Sequence, residues 1–329
     1  MFDIAVVCAR CQPPTHAHFA ALARARTLAR RVVMVVTHAD AAATPAHPFD
    51  NTTRRALLAA GCGGEAVEIV MLRDRRYDAA RWAAAAAAAV QAVAGLGTVV
   101  VIADHVAATT SMPLPASWQR AAGQVQLAAA ETLARECLLA VGGPAWASLA
   151  ALVPAAVGAV LQALVAREDF TRIAAEAAFL ADYRRAWQAA PYAPMFVTVD
   201  NVATWRDQVL LIKRGQAPGL GQWALPGGFL DLKETLAAAC LRELWEETGI
   251  VLAEDAMQSV RIFDDPLRSQ RGRTITHAYR FVLDALPAPP LAVGGDDAVA
   301  AAWVPIAVLQ PERLFDDHYF ILQTMLMLD

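Results

Sequence analysis

Three short apolar runs rich in β-branched residues, at 4–8, 32–37 and 98–102, alternate with stretches that read as helices at 18–31 and 83–93. Runs of that length and composition are buried strands. Strands that alternate with helices build a parallel, doubly wound sheet, which commits the first half of the chain to an α/β fold. From residue 131 to about 187 the pattern is wholly helical. The segment Ala190-Pro191-Tyr192-Ala193-Pro194 then ends it, because proline stops a helix and pushes its predecessor to extended backbone. Beyond it the texture changes. Residues 195–199 and 208–213 read as strands, and a Gly/Pro-rich loop at 215–228 leads to a helix at 234–248. Further strands are expected at 280–283 and 300–304, with a terminal helix near 319–328. The chain therefore divides into two expected domains, 1–187 and 188–329.

Composition narrows the function classes. The hydrophobic share is 57%, much of it alanine, and the formal net charge is -4. That balance offers no basic surface to a polyanion, so nucleic acid is not an expected partner. Two uncharged stretches, 83–103 and 137–166, are long enough to span a membrane. The first is an alanine run, then Gly95-Leu96-Gly97, then Thr98-Val99-Val100-Val101-Ile102, which is helix, turn and strand. The second is broken by Gly142-Gly143-Pro144 and by Pro154, so it reads as short helices. No membrane association is expected, and MFDIAVV is too short and too acidic for a secretory signal. Five scattered cysteines make no disulfide framework and fit a reducing, cytoplasmic location. Cys8 and Cys11 form a C-x-x-C without the second pair that zinc requires. Pro13-Pro14 also deny it the helix that a redox motif opens, so both read as small buried hydrophobes.

The chemistry is concentrated in residues 228–250, GFLDLKETLAAACLRELWEETGI. At about 100° per residue, Glu243, Glu246 and Glu247 share a third of a helix circumference. Ala237, Leu241, Leu244 and Thr248 fall opposite and can pack on a sheet. Acidic pairs at i,i+4 cost a helix roughly 0.2–0.5 kcal/mol, a penalty that a divalent cation removes. Hard carboxylate oxygens suit Mg²⁺, which also binds substrate phosphates. The alternative is a solvated acidic face.

Gly228, Glu234, Arg242, Glu243, Glu246, Glu247 and Gly249 occupy every fixed position of G-x5-E-x7-R-E-U-x-E-E-x-G-U, with Leu244 and Ile250 at its apolar positions. The segment resembles the Nudix hydrolase family. The resemblance implies an α/β/α sandwich in which Mg²⁺ (or Mn²⁺) is held by Glu243 and Glu247, with Glu246 assisting and the Gly227 carbonyl contributing. It implies that Glu234 and Arg242 hold loop and helix in register. The metal would polarise a diphosphate and generate a hydroxide nucleophile. The general base is expected on a later loop, at Asp297 or Asp296. With PYAPMFVTVD, LLIKRGQAPGLGQWALPGGF, FDDPLRSQRGRTITHAYRF and GGDDAVAAAWVP, the whole segment from about 190 onward resembles one half of a family. That family is the bifunctional nicotinamide mononucleotide adenylyltransferase/ADP-ribose pyrophosphatases. The implied substrate is ADP-ribose, cleaved to AMP and ribose 5-phosphate. Arg268, Arg271 and Arg273 are candidate phosphate ligands, with a solvated basic loop as the alternative.

The first domain carries the partner motif. Residues 9–18, ARCQPPTHAH, follow a strand and open a helix. They resemble the G-R-F-Q-P-x-H-x-G-H stretch of nucleotidyltransferases at Arg10, Gln12, Pro13 and His18, with Thr15 for the first histidine. Glu131-Thr132-Leu133-Ala134-Arg135 echoes S-x-T-x-x-R, which implies that Thr132 and Arg135 hold ATP phosphates. The stretch around Asp74, Tyr77 and Trp82 also matches, with Trp82 implied either to stack on nicotinamide or to sit in the core. The implied fold is a Rossmann-like nucleotidyltransferase domain joining nicotinamide mononucleotide to ATP. Departures are Ala9 and Ala17 for glycines, Cys11 for an aromatic, and Ala103-Asp104-His105 where the family has G-H-x-K-D. They leave open a scaffold or nucleotide-sensing role for this domain. A third reading is a non-enzymatic ADP-ribose-sensing regulator, which needs a basic helix-turn-helix; the tail PERLFDDHYFILQTMLMLD is acidic and apolar instead.

Overall fold

A computed structural model describes residues 1–104, 114–122, 125–141 and 143–328. His105 lies outside the described residues. The chain forms two compact units, Met1–Ala177 and Ala178–Asp329.

The first unit runs β1 (Phe2–Ala9), α1 (His16–Leu28), β2 (Ala29–Ala39), α2 (Asn51–Cys62), β3 (Glu68–Arg73), α3 (Ala79–Ala94), β4 (Val99–Ile102) and β5 (Gln119–Arg120). The helices α4 (Leu127–Leu139), α5 (Leu149–Leu152), α6 (Ala155–Leu164) and α7 (Glu168–Ala186) follow, and the division between units falls within α7. The strands form one parallel sheet in the order β3-β2-β1-β4-β5. The central strand β1 is buried on both faces, which is why its sequence is apolar without alternation. Ala5 and Val7 pack with Leu22 and Ala25 of α1 and Leu58 of α2. Ile4 and Val6 pack on the other side with Trp82, Ala86 and Val90 of α3. Local signals set the helix ends: Asp50 accepts from the Thr53 amide at 2.7 Å, and Gly63 closes α2 in the left-handed region.

One expectation needs correction here, and two elements are added. The helix expected at 18–31 stops at Leu28, because residues 29–31 pair with Phe2–Ile4 as the start of β2. The strand β3 and helix α2 were not legible in the pattern, although Val70 and Leu72 of β3 reach the core.

The second unit contains β6 (Met195–Trp205), β7 (Gln208–Arg214), β8 (Trp223–Ala224), α8 (Leu236–Thr248), β9 (Ser259–Phe263), β10 (Arg273–Val282), β11 (Ala298–Pro305) and α9 (His318–Met325). Its mixed sheet has the order β11-β7-β6-β10-β9, with β8 beside β7. β10 lies parallel to β6, and the other pairings are antiparallel. The expected strand at 280–283 is only the end of β10, whose Thr274, Thr276 and His277 hide its apolar alternation. Helix α8 seats Ala239, Cys240 and Leu244 against Val199 and Ala203 of β6, Leu210 of β7 and Phe281 of β10. Burying a leucine in this way contributes about 1.5–3 kcal/mol. Asn201 of β6 ties the assembly: its amide donates to the carbonyls of Pro226 at 3.2 Å and Cys240 at 3.0 Å. Strand, loop and helix are thus fixed together where the acidic residues emerge.

Candidate active site

The acidic stripe of α8 does not face bulk water. Glu243 and Glu247 are 8% and 4% exposed, whereas Trp245 of the same helix is 55% exposed. The apolar contact face is centred on Cys240 and Leu244, so positions 243 and 247 lie at its border and are carried inward with it. Thr235 caps the helix by accepting from the Ala238 amide at 3.2 Å, and Gly249 ends it at φ 69°.

Arg242 organises the helix start. Its Nε and Nη2 donate to Glu234 at 3.0 and 2.7 Å, and its Nη1 donates to both Glu243 and Glu246 at 2.8 Å. Its Nη2 also reaches the Phe229 carbonyl at 3.2 Å. Glu234 accepts from the Asp231 amide at 2.8 Å, so one ion pair binds loop to helix. The arginine bonds hold the Glu234 carboxyl below its ordinary range. Glu247 is held differently, by the Gly227 amide at 2.8 Å. Burial pushes its carboxyl up to about 8, against the pull of that amide and with neighbouring Glu243 adding to the rise. Burial likewise raises Glu243.

The glycines of the loop make this approach possible. A Cβ on Gly228 would collide with the Glu243 carboxylate, and one on Gly227 with the Val199 carbonyl of β6. Glu243, Glu247 and Gly227 line an open cleft of about 260 Å³. Among the described residues no three His, Cys, Asp or Glu side chains converge on a metal position. The Arg242 guanidinium instead bridges Glu243 and Glu246. The donor set of desolvated carboxylates beside a glycine cradle fits a hard divalent cation.

The rest of the cleft contains residues that spacing alone does not reveal. Asp296 and Asp297 line it, and Asp297 is held by the Gln216 side-chain amide. Of the three expected arginines, Arg271 lines the cleft with its guanidinium 4.7 Å from the Phe229 ring centroid. Its Nε is buried without a hydrogen-bond partner among the described residues. Arg268 also lines the cleft but is committed to Asp317 through bonds of 3.0 and 2.9 Å. Arg273 donates to the Asp264 carbonyl and does not line the cleft. Arg214, not singled out by the sequence, lines it 4.2 Å from the Phe315 ring. Asp200, Asp316 and His318 complete the wall. Asp200 accepts from Thr276 at 2.6 Å, and burial raises the Asp316 carboxyl. Only pairing across the sheet and onto α9 brings these residues together, so no local signal could have found them.

Residues 195–325 match the NUDIX domain. The chain is also 36% identical over 125 residues to an ADP-ribose pyrophosphatase of Methanocaldococcus jannaschii, covering 38% of this chain and 70% of that one.

The chain belongs to the Nudix family. A Nudix hydrolase works with a divalent metal. Similarity extends beyond the Nudix unit. A bifunctional NMN adenylyltransferase/ADP ribose pyrophosphatase from Francisella tularensis superposes with a TM-score of 0.87, at 27% identity and 99% coverage of both chains. The same Francisella tularensis enzyme complexed with AMP and a Mn ion gives 0.86, also at 27% identity and 99% of both chains. The unit ahead of the Nudix unit thus has the fold of an adenylyltransferase domain.

Its expected site residues are partly assembled. Arg10, His18 and Arg135 converge on Glu131. Thr132 accepts from Arg135 at 3.3 Å, and Thr15 bonds the His18 ring at 2.9 Å. Gln12 is structural: its side chain exchanges two hydrogen bonds with the Phe49 backbone, at 2.8 and 2.9 Å. Trp82 is not available for stacking on a ligand, since it is 1% exposed and points from α3 into the core against the sheet. Cys8 and Cys11 are free thiols, and burial pushes Cys8 up to about 12, which denies it thiolate chemistry.

Proposed function

We propose that the Nudix unit hydrolyses ADP-ribose to AMP and ribose 5-phosphate with Mg²⁺, and that the first unit joins nicotinamide mononucleotide to ATP. The observation that carries the first half is one cleft joining buried Glu243 and Glu247 to the ring-stacked guanidinium of Arg271, whose Nε has no hydrogen-bond partner among the described residues. That combination suits a diphosphate: acids for a cation at one end, a forked donor for phosphoryl oxygens at the other. The names of the relatives point to ADP-ribose as the diphosphate.

Glu243 and Glu247 would hold the ion with the Gly227 carbonyl, and Glu246 would assist once Arg242 yields it. The ion, when bound, supplies Lewis acidity for the diphosphate and for the attacking water. The chain supplies the rest. Arg271 and Arg214 hold the substrate's negative charge, and their rings keep those guanidiniums oriented. Asp297, oriented by Gln216, is the proton acceptor for the water. Glu234 and Arg242 keep the glycine loop against the helix. Free cysteines and the absence of any long apolar helix among the described residues support a cytoplasmic site of action.

Product analysis with Mg²⁺ and a panel of ADP-ribose, NAD, diadenosine polyphosphates and nucleotide sugars tests the substrate. ADP-ribose is expected to turn over fastest; preference for a nucleotide sugar, or no cleavage at all, overturns the assignment. For the other half, NAD should form from nicotinamide mononucleotide and ATP, and its failure to appear removes that activity.

A further inference from the structure

In the first unit Glu131 of α4 is 1% exposed, yet it is charged: the His18, Arg10 and Arg135 groups around it outweigh the cost of burial and keep its carboxyl below the ordinary range. Its Oε1 accepts from Arg135 Nη1 at 3.3 Å and pairs with Arg10 Nε at 3.1 Å. Both arginines are thus drawn to one oxygen. Its Oε2 lies 3.7 Å from His18 Nε2, beyond hydrogen-bond reach. The Thr15 amide donates to His18 Nδ1 at 3.1 Å, which leaves the proton on Nε2. That N–H is fully buried and, among the described residues, has no hydrogen-bond partner. A buried donor is costly to leave unmade, so a carboxylate satisfies this pocket incompletely. A group with three oxygens, spread tetrahedrally, can meet both arginines and the histidine.

The opening of the same helix repeats the arrangement. Asp104 places its two oxygens on the Leu127 and Ala128 amides, at 2.6 and 2.7 Å. These amides are the free donors of a 13-residue helix and carry its positive end. A carboxylate of the chain therefore sits at each of two positions suited to a phosphate.

We infer that Glu131 is an internal occupant of an anion site built by Arg10, His18 and Arg135, that a polyphosphate enters the first unit by displacing it, and that Glu131 thereby sets the affinity for that ligand. The inference rests on the nucleotidyltransferase reading for its choice of polyphosphate as ligand. Neither Ala9 nor Cys11 enters it.

Inorganic tripolyphosphate is the probe, titrated calorimetrically into the whole chain with EDTA present so that no metal bridges it to the Nudix cleft. Glu131→Gln keeps the shape and removes the competing charge, and is expected to bind roughly tenfold more tightly than the wild type. Adding Arg10→Gln to that variant is expected to abolish the gain. Equal or weaker binding by Glu131→Gln overturns the inference, as does a gain that survives Arg10→Gln. Should Glu131→Gln unfold, tripolyphosphate is expected to restore its thermal transition; an unfolded variant that it fails to rescue shows a purely structural ion pair and overturns the inference. None of these readings depends on NAD formation, so loss of the synthetic activity would not be mistaken for loss of the site.

Discussion

Glu247 shows how one residue's surroundings turn an ordinary acid into a specialised one. It is buried, held by a backbone amide and next to a second buried acid, so its charge is retained only where a cation can share the space. Glu247→Gln should keep the fold and lower ADP-ribose hydrolysis at least about 100-fold, the effect of losing roughly 3 kcal/mol of transition-state stabilisation. Steady-state rates beside circular dichroism spectra check it, and near-wild-type turnover would remove Glu247 from the chemistry. The arginines of one loop separate by the same logic. Arg271→Ala should raise KM for ADP-ribose by about tenfold or more, whereas Arg273→Ala, outside the cleft, should leave it nearly unchanged. Equal effects of the two would refute the placement of substrate along Arg271. Arg268→Ala should instead destabilise the unit by about 3–5 kcal/mol, because it breaks a buried ion pair with Asp317, which is 0% exposed. Denaturant midpoints of the variant measure that loss.

Among the elements, the glycine loop and α8 act as one part. The helix motif was readable from spacing because its fixed positions follow the 3.6-residue turn, and Thr235 and Gly249 cap its two ends. The conformation of Gly227 and Gly228 was not readable in that way, since its need arises from contact with β6 and with Glu243. Gly228→Ala should therefore force loop and carboxylate apart, costing about 1–3 kcal/mol of stability and most of the hydrolytic rate. Paired thermal unfolding and activity measurements decide this, and an alanine variant with wild-type rate would show that the close approach is dispensable. The strands were legible unevenly. β4 and the middle of β2 declare themselves as continuous apolar runs rich in β-branched residues, because parallel strands are covered on both faces. β9 is exposed along four of its five residues and so carries no apolar pattern to find.

For the whole molecule, two half-buried histidines make stability depend on pH. His38 and His47 stack at 4.7 Å in the first unit, and burial holds both well below the ordinary imidazole range, with nearby positive charge adding to the effect. Folded, they stay neutral; unfolded, they take protons near pH 6.5. Their contribution is therefore complete above about pH 6.5 and is lost as pH falls below it, by up to about 1.4 kcal/mol per pH unit for each histidine. Calorimetric midpoints at pH 7.5 and 5.5 should fall more for the wild type than for His47→Phe, which keeps a ring beside His38 and removes one titrating group. Parallel falls in the two proteins would contradict the argument.

Local order along the chain determined the helices, the parallel sheet of the first unit and the acidic motif of the second, because periodicity and fixed spacing are properties of neighbours within a few residues. Tertiary structure decided which charges are free. Arg268 is spent on Asp317, 49 positions away, while Arg271 keeps an open donor three positions further along the same loop. Trp82 was drawn into the core, and Arg10, His18 and Arg135 were gathered around a carboxylate more than 100 positions from the first two. Such pairings depend on how strands and helices stack, and the energy of a buried charge is set by whatever that stacking brings beside it.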